Sequence, residues 1–126
     1  MRVLFQGDIV ARSGRTAVSK ELPSLRRVLK LDFVVANAEN AAHGFGITEK
    51  ICRELFEIGV DVITGGNHSW DKSEIIPYIA QEKRLLRPLN FPAETPGRGM
   101  GVYVDGSGRK IKVINIMTRL LSLIHI

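Results

Sequence analysis

Residues 32–40 read DFVVANAEN, an apolar run that leads directly into a group of polar side chains. The run is apolar at nearly every position rather than at alternate positions, which is typical of a strand buried on both faces of a parallel sheet. Runs of the same type lie on either side of it in the sequence, at Val3–Gln6 and Val60–Thr64. The sequence therefore predicts three buried parallel strands, of which residues 32–37 are the second.

Helical patterns alternate with these runs. The predicted helices cover Thr16–Leu29, Thr48–Ile58 and Ser73–Gln81. Pro23 is expected to break or kink the first helix near Leu22, because proline lacks a backbone donor and clashes with the preceding turn. Thr48 suits the N-cap of the second helix, and Gly59 suits its end. Strands that alternate with helices predict an α/β protein with a βαβαβ parallel sheet.

The chain changes character in its last third. Residues 87–101 are rich in proline and glycine, which predicts an irregular loop. Val102–Val104 and Ile111–Ile116 flank the turn-rich segment DGSGRK, which predicts a C-terminal β-hairpin. Residues 120–126, LLSLIHI, are apolar and contain no cap or turn. We therefore expect residues 1–126 to be a single truncated domain with an atypical tail.

Composition limits the class of protein. The chain has 126 residues, 44% hydrophobic and 25% charged, which is typical of one globular domain. The start lacks a signal-peptide pattern, and no apolar run is long enough to cross a membrane. Cys52, the single cysteine, cannot form an internal disulfide. We interpret the chain as cytoplasmic, with no membrane partner.

The chain is basic, with a formal net charge of +5. Basic side chains occur in both halves, and nucleic-acid binding is one interpretation of them. Single-strand binding would favour aromatic residues interleaved with the basic ones, and these are absent. Solvated surface faces are therefore the preferred interpretation, and RNA remains an open partner.

Polar side chains follow each predicted strand at the point where it ends. Asp8 follows the first strand, Glu39 and Asn40 the second, and Asn67 and His68 the third. Because the carboxyl ends of parallel strands meet at one edge of a sheet, these side chains are expected to lie together. A site with mixed oxygen and nitrogen ligands fits Fe, Mn or Zn better than a site rich in thiol ligands does. A central carboxylate such as Glu39 can bridge two cations roughly 3.5–4 Å apart.

Simpler interpretations exist for single residues. Asp8 alone is typical of a helix N-cap, and asparagine in a glycine-rich loop is typical of a turn. His43 lies in a loop beside glycine and is interpreted as a surface residue, and His125 lies in the apolar tail and is assigned no role. Three polar strand ends in succession favour the metal site over these interpretations.

Four blocks of the sequence carry a family resemblance. They are GDIVARSGR (7–15), NAENAAHGFGIT (37–48), GVDVITGGNHSWD (59–71) and LLRPLNFP (85–92). In this order they resemble the signature blocks of the YmdB-like metallophosphoesterases, a branch of the calcineurin-like superfamily. The GNH motif is shared more widely by dinuclear phosphoesterases. The resemblance implies a four-layered α/β/β/α sandwich, incomplete in this chain, and hydrolysis of phosphodiesters such as 2′,3′-cyclic nucleotides.

The resemblance also implies roles for the site residues. It implies two divalent metal ions, with Fe or Mn favoured and Zn or Mg open. Asp8 would bind one metal and Glu39 would bridge both. Asn40 and Asn67 would complete the ligands that this part of the protein supplies. His68 would protonate the leaving oxygen or stabilise the phosphoryl charge, while a metal-activated hydroxide attacks phosphorus.

The sequence departs from the family pattern in several places. Ala11, Ala38 and His43 stand where glycine is expected, which is harmless unless the backbone there needs a positive φ. Val10 stands where most calcineurin-like enzymes have His, although the YmdB-like branch lacks that His as well. The family's further His ligands lie beyond the matching blocks. We therefore expect weak metal binding and little turnover from these 126 residues alone.

Two other hypotheses remain to be compared with the metal-dependent phosphodiesterase. One is a non-catalytic half-domain that binds nucleotides or RNA, or an inactive fragment, whose exposed sheet edge promotes pairing into a homo-oligomer. Binding that requires Mn or Fe would count against it. The other is a dinucleotide- or ATP-binding α/β domain. The segment GDIVARSGR lacks both the G-x-G-x-x-G and the G-x-x-x-x-G-K-[ST] patterns, so this hypothesis is set aside.

Overall fold

The computed structural model describes residues 1–118, so the predicted tail at residues 120–126 lies outside the described part of the chain. The strands are β1 (Val3–Gln6), β2 (Phe33–Asn37), β3 (Val62–Thr64), β4 (Leu85–Leu86), β5 (Met100–Val104) and β6 (Lys110–Ile114). The helices are α1 (Ala11–Val28), α2 (Glu49–Glu57) and α3 (Ile75–Gln81).

Strands β1 to β4 form one parallel sheet, in the order β1-β2-β3-β4. The three predicted strands are confirmed as parallel, although β2 begins at Phe33 and β3 at Val62, slightly later than predicted. The predicted burial of the first strand is wrong, because β1 is an edge strand and its Val3 and Phe5 are exposed. Strand β4 was not predicted, because two apolar residues carry no periodic pattern. The chain is therefore an α/β protein with one more parallel strand than the apolar runs indicated.

Helix α1 begins at Ala11 rather than at Thr16, and it continues through Pro23. The predicted break near Leu22 is therefore wrong. A proline inside a helix removes one backbone hydrogen bond and costs about 3 kcal/mol. Leu22 is buried in the core cluster. Burial of this face of the helix offsets the cost of the proline, because a buried leucine contributes about 1.5–3 kcal/mol.

Helix α2 has the predicted N-cap, since Thr48 Oγ1 accepts a hydrogen bond from the Ile51 N–H at 3.3 Å. The side chain of Cys52 is buried on this helix, and burial raises the pKa of its thiol. The third predicted helix is present as α3 and begins two residues later than Ser73, at Ile75. No helix within residues 1–118 combines the length and the apolar character that a membrane crossing requires.

Both faces of the parallel sheet are covered at β2 and β3, whereas Val3 and Phe5 of β1 are exposed. On one face, a core cluster joins the sheet to the helices through Val34, Ala36, Ile63, Ile51, Leu55 and Ile79. On the other face, the side chains of Tyr103, Ile111 and Val113 pack against Phe33, Val35, Val62 and Leu86. The layers are therefore helices, parallel sheet and hairpin, which agrees with strands that are apolar at almost every position.

The predicted C-terminal hairpin is confirmed as the antiparallel pair β5–β6, which starts at Met100 and ends at Ile114. Asp105 closes its turn, because Oδ1 accepts hydrogen bonds from the N–H groups of Ser107 and Arg109, each at 2.9 Å. Two opposing effects act on the pKa of the Asp105 carboxyl. Burial by itself would raise this pKa, but the hydrogen bonds from Arg109 and Ser107 outweigh burial and hold it below its ordinary value.

Two of the positions where the family pattern expects glycine have a left-handed backbone. Ala11 has a φ of 52° and His43 a φ of 56°. Ala38 is not among the residues with positive φ, and it is completely buried. Alanine is therefore harmless at position 38, whereas Ala11 and His43 each adopt a conformation that is unfavourable for an L side chain.

Replacing Ala11 by glycine is expected to raise the free energy of unfolding by about 0.5–1 kcal/mol. Left-handed backbone costs an L residue roughly 1–2 kcal/mol, and the greater entropy of glycine in the unfolded chain offsets part of this gain. The matched control is Ala17→Gly, an exposed position in the same helix. There the same change is expected to lower stability by about 1 kcal/mol. Urea unfolding measures both changes, and equal signs would contradict the explanation.

Candidate metal centre

The predicted site residues all follow strands of the parallel sheet at its carboxyl edge. Asp8 follows β1, Glu39 and Asn40 follow β2, and Asn67 and His68 follow β3. Backbone hydrogen bonds continue beyond the strands and keep these ends side by side. The N–H of Ile9 donates to the carbonyl of Asn37 at the end of β2, at 2.9 Å. The N–H of Ala38 donates to the carbonyl of Thr64 at the end of β3, at 3.1 Å.

Asp8 and Asn40 are in direct contact. Asn40 Nδ2 lies 3.1 Å from Asp8 Oδ1 and 2.9 Å from Oδ2, and it donates to the carboxylate. The cap position of α1 is Val10, and no side chain bonds to the helix end there. Asp8 is therefore not the N-cap of α1, and its carboxylate is directed to the asparagine that follows β2.

The Glu39 carboxylate lies against the backbone of Gly66. A Cβ atom built on Gly66 would lie 2.2 Å from Glu39 Oε2 and 2.5 Å from Oε1. The neighbouring Gly65 is close to Ser69, whose Oγ would lie 2.3 Å from an added Cβ. Neither glycine has a positive φ. The lack of a side chain at Gly66 and Gly65 is therefore what leaves room for Glu39 and Ser69.

The oxygen atoms at this edge fit a divalent cation. Asn40 Oδ1 is buried and has no hydrogen-bond partner among residues 1–118. An unpaired buried polar atom costs about 1–3 kcal/mol, which a bound cation would relieve. Carboxylate and amide oxygens are ligands that divalent cations accept. Within residues 1–118, however, no group of three His, Cys, Asp or Glu side chains could hold a metal ion.

A cavity of about 360 Å³ opens at the same edge. It lies at the lower end of the size range of small-molecule pockets. Its lining joins the sheet edge to the end of the hairpin and comprises Phe5, Asn37, Glu39, Thr64, Gly65, Gly66, Asn67 and residues 114–118. Glu39 and Asn67 thus share one cavity, whereas the described lining includes neither Asp8, Asn40 nor His68.

His68 has a carboxylate partner. Its Nδ1 lies 2.6 Å from Asp71 Oδ2. An ionised carboxylate only accepts hydrogen bonds, so Nδ1 carries the proton that it donates to Asp71, and Nε2 has no hydrogen-bond partner in the described part of the chain. The backbone N–H of His68 donates to Glu39 Oε2 at 3.4 Å. Asp71 was missed from the sequence, although its spacing three residues after His68 was the available signal.

The fold and the site define a class: an α/β protein with candidate metal ligands at the carboxyl edge of a parallel sheet. A family model described as YmdB-like protein matches residues 4–124. The chain therefore belongs to this family, which confirms the resemblance that the four sequence blocks carry.

Relatives with names or solved structures are also similar to the chain. A 2′,3′-cyclic-nucleotide 2′-phosphodiesterase of Bacillus subtilis (strain 168) is 48% identical over 119 residues, which are 94% of this chain and 45% of that protein. A crystal structure of a hypothetical protein from Thermus thermophilus matches with a TM-score of 0.88 and 41% identity, covering 96% of this chain and 46% of that one. A structure described as a novel phosphatase of Mycoplasma pneumoniae matches with a TM-score of 0.83 and 33% identity, covering 92% and 42%.

In each of these comparisons, the match covers nearly all of this chain but less than half of the relative. The chain spans somewhat less than half the length of the relatives that it matches. The phosphodiesterase and phosphatase names describe hydrolase activities of those whole proteins.

Proposed function

We propose that this chain forms part of a metal-dependent phosphodiesterase that hydrolyses phosphodiesters such as 2′,3′-cyclic nucleotides. The observation that carries the proposal is the sheet edge itself. There the Glu39 carboxylate fills the space left open by Gly66, and Asn40 Oδ1 is buried without a partner among residues 1–118, beside Asp8. The name of the Bacillus subtilis relative supports the substrate class.

Asp8, Glu39, Asn40 and Asn67 are the residues that would hold two divalent cations, with Fe or Mn favoured and Zn or Mg open. When bound, such cations polarise a phosphoryl oxygen and make water a stronger nucleophile. The carboxylates of Asp8 and Glu39 supply the negative charge that two neighbouring cations require. Asn40 Oδ1 is a neutral oxygen that has no hydrogen-bond partner among residues 1–118.

His68 is proposed to protonate the leaving oxygen. Its Nδ1 is occupied by Asp71, so proton transfer falls to Nε2. Asp71 holds the ring in one orientation and one tautomer. Both side chains are partly exposed, at 39% for His68 and 35% for Asp71, so a substrate can reach the ring.

Hydrolysis of 2′,3′-cyclic AMP by the purified chain tests this function. The assay uses protein in excess over substrate, because turnover by this part of the protein is expected to be slow. We expect no hydrolysis after treatment with a chelator and its return on addition of Mn²⁺. Hydrolysis that is insensitive to the chelator would contradict the proposal. RNA binding that falls with salt and needs no metal would instead favour the non-catalytic half-domain.

Replacing Asp71 by alanine is expected to slow hydrolysis by roughly 10²-fold, since a correctly placed general acid contributes about 10²–10⁴-fold. Mn²⁺ binding, measured by calorimetry, is expected to stay unchanged, because Asp71 is hydrogen-bonded to the proton donor and, within residues 1–118, to none of the proposed ligands. Glu74→Gln is the control, an exposed acidic residue of the same segment. An equal loss of rate in both variants would rule out a specific role for Asp71.

A further inference from the structure

Asn115, directly after β6, connects the hairpin to the candidate metal centre. Its side-chain Nδ2 donates to the carbonyl of Gly65 at 3.0 Å and to that of Leu86 at 3.3 Å. Its backbone N–H donates to the carbonyl of Gly99 at 2.9 Å, and its carbonyl accepts from the N–H of Leu89 at 2.7 Å. One residue thus joins β6, the loop after β4 and the turn after β3.

The carbonyl that Asn115 binds belongs to the turn that holds the proposed ligands. Gly65 immediately precedes Gly66, whose backbone lies against the Glu39 carboxylate. The N–H of Gly65 donates to the carbonyl of Leu86 at 2.9 Å, so Asn115 and Gly65 share that acceptor. The turn cannot move away from Glu39 without breaking these bonds. Asn115 lines the same cavity as Glu39 and Asn67.

A purely structural role for the Asn115 side chain is less well supported by the contacts. The chain after β6 is already attached to the loop after β4 by Asn90. Asn90 Nδ2 donates to the Met117 carbonyl at 2.7 Å, and its Oδ1 accepts from the Met117 N–H at 3.0 Å. The backbone groups of Asn115 also bind that loop. Its side chain extends further, to the turn after β3.

We propose that Asn115 is a positioning residue for the metal site, an inference that rests on the proposed function. Its amide group holds Gly65 so that Gly66 stays against Glu39 and Asn67 faces the cavity. The side chain must donate to two carbonyl oxygens, so an ionised carboxylate cannot replace it. Residues that hold metal ligands in place commonly change metal affinity by about 10–100-fold when they are replaced.

The test compares Asn115→Ala and Asn115→Asp with the control Asn90→Ala. The control also removes a side chain that makes two bonds to backbone in the same region, but it does not touch the turn after β3. Two readouts are needed: Mn²⁺ affinity by calorimetry, and amide hydrogen exchange at Gly66, whose N–H donates to Ser69 Oγ at 2.9 Å. Thermal unfolding shows whether each variant folds.

Both Asn115 variants are expected to bind Mn²⁺ about 10–100-fold more weakly and to exchange the Gly66 amide faster. The Asn90→Ala variant is expected to match the wild type in both readouts. Wild-type behaviour of Asn115→Ala, or an equal change in Asn90→Ala, would overturn the inference. If the wild-type chain itself binds no Mn²⁺, the proposed function fails, and the exchange of Gly66 alone decides whether Asn115 holds the turn.

Discussion

Replacing Glu39 by glutamine is expected to lower the Mn²⁺ affinity of this chain by more than about 100-fold. Loss of a residue that merely supports a metal ligand already costs about 10–100-fold, and Glu39 is proposed as a direct ligand. Glutamine has nearly the same size and shape, so it still fits the space beside Gly66. Its carbonyl oxygen can also accept the hydrogen bond from the His68 N–H. The change therefore removes a negative charge while leaving the packing intact.

Calorimetric titration with Mn²⁺ measures this effect, and thermal unfolding in the absence of metal checks the fold. The control is Glu57→Gln, which removes the same charge from an exposed residue at the end of α2. It separates ligation from the general attraction of cations to acidic side chains, which is weak at exposed sites in salt. Mn²⁺ binding by Glu39→Gln at wild-type strength would exclude Glu39 as a ligand.

Replacing Gly66 by alanine is expected to produce a loss of Mn²⁺ affinity of similar size for a different reason. The added Cβ would lie 2.2–2.5 Å from the carboxyl atoms of Glu39, closer than non-bonded atoms approach. The end of a flexible side chain moves more readily than backbone does, so the carboxylate is displaced and the fold is retained. We therefore expect a large change in metal affinity with a small change in the temperature of unfolding.

Gly7→Ala is the matched control, because Gly7 lies at the same sheet edge, next to Asp8. A Cβ atom there would have no neighbour within 4 Å, and neither Gly7 nor Gly66 has a positive φ. The double variant Glu39→Gln/Gly66→Ala adds a sharper test. Both changes act on one carboxylate, so their effects should not add. Additive losses, or equal losses in Gly7→Ala and Gly66→Ala, would show that steric displacement of Glu39 is not the cause.

The parallel sheet and its polar edge follow from local sequence patterns. A strand buried on both faces is apolar at nearly every position, so β2 and β3 were predictable. The same apolar pattern located β1, although its Val3 and Phe5 are exposed. The cap at Thr48 and the turn-rich hairpin connection are also local, because their partners lie within a few residues. Once parallel strands are assigned, the gathering of Asp8, Glu39 and Asn67 at one edge follows from topology alone.

Local patterns failed where tertiary contacts outweigh them. The helix passes through Pro23 because burial of its apolar face offsets the lost hydrogen bond. The two-residue strand β4 exists because β3 provides an edge for it to pair with. The left-handed backbone of Ala11 likewise gives no signal in the sequence, since the residue type itself disfavours that conformation.

The sequence by itself determined the fold class, the family and the residues that gather at the sheet edge. Only the tertiary structure decided how those residues are held. It placed Glu39 against Gly66, paired His68 with Asp71 and connected Asn115 to Gly65 across 50 positions of sequence. The physical reason is that hydrogen bonds and close packing between distant segments depend on where the backbone brings them, which periodicity within one segment does not encode.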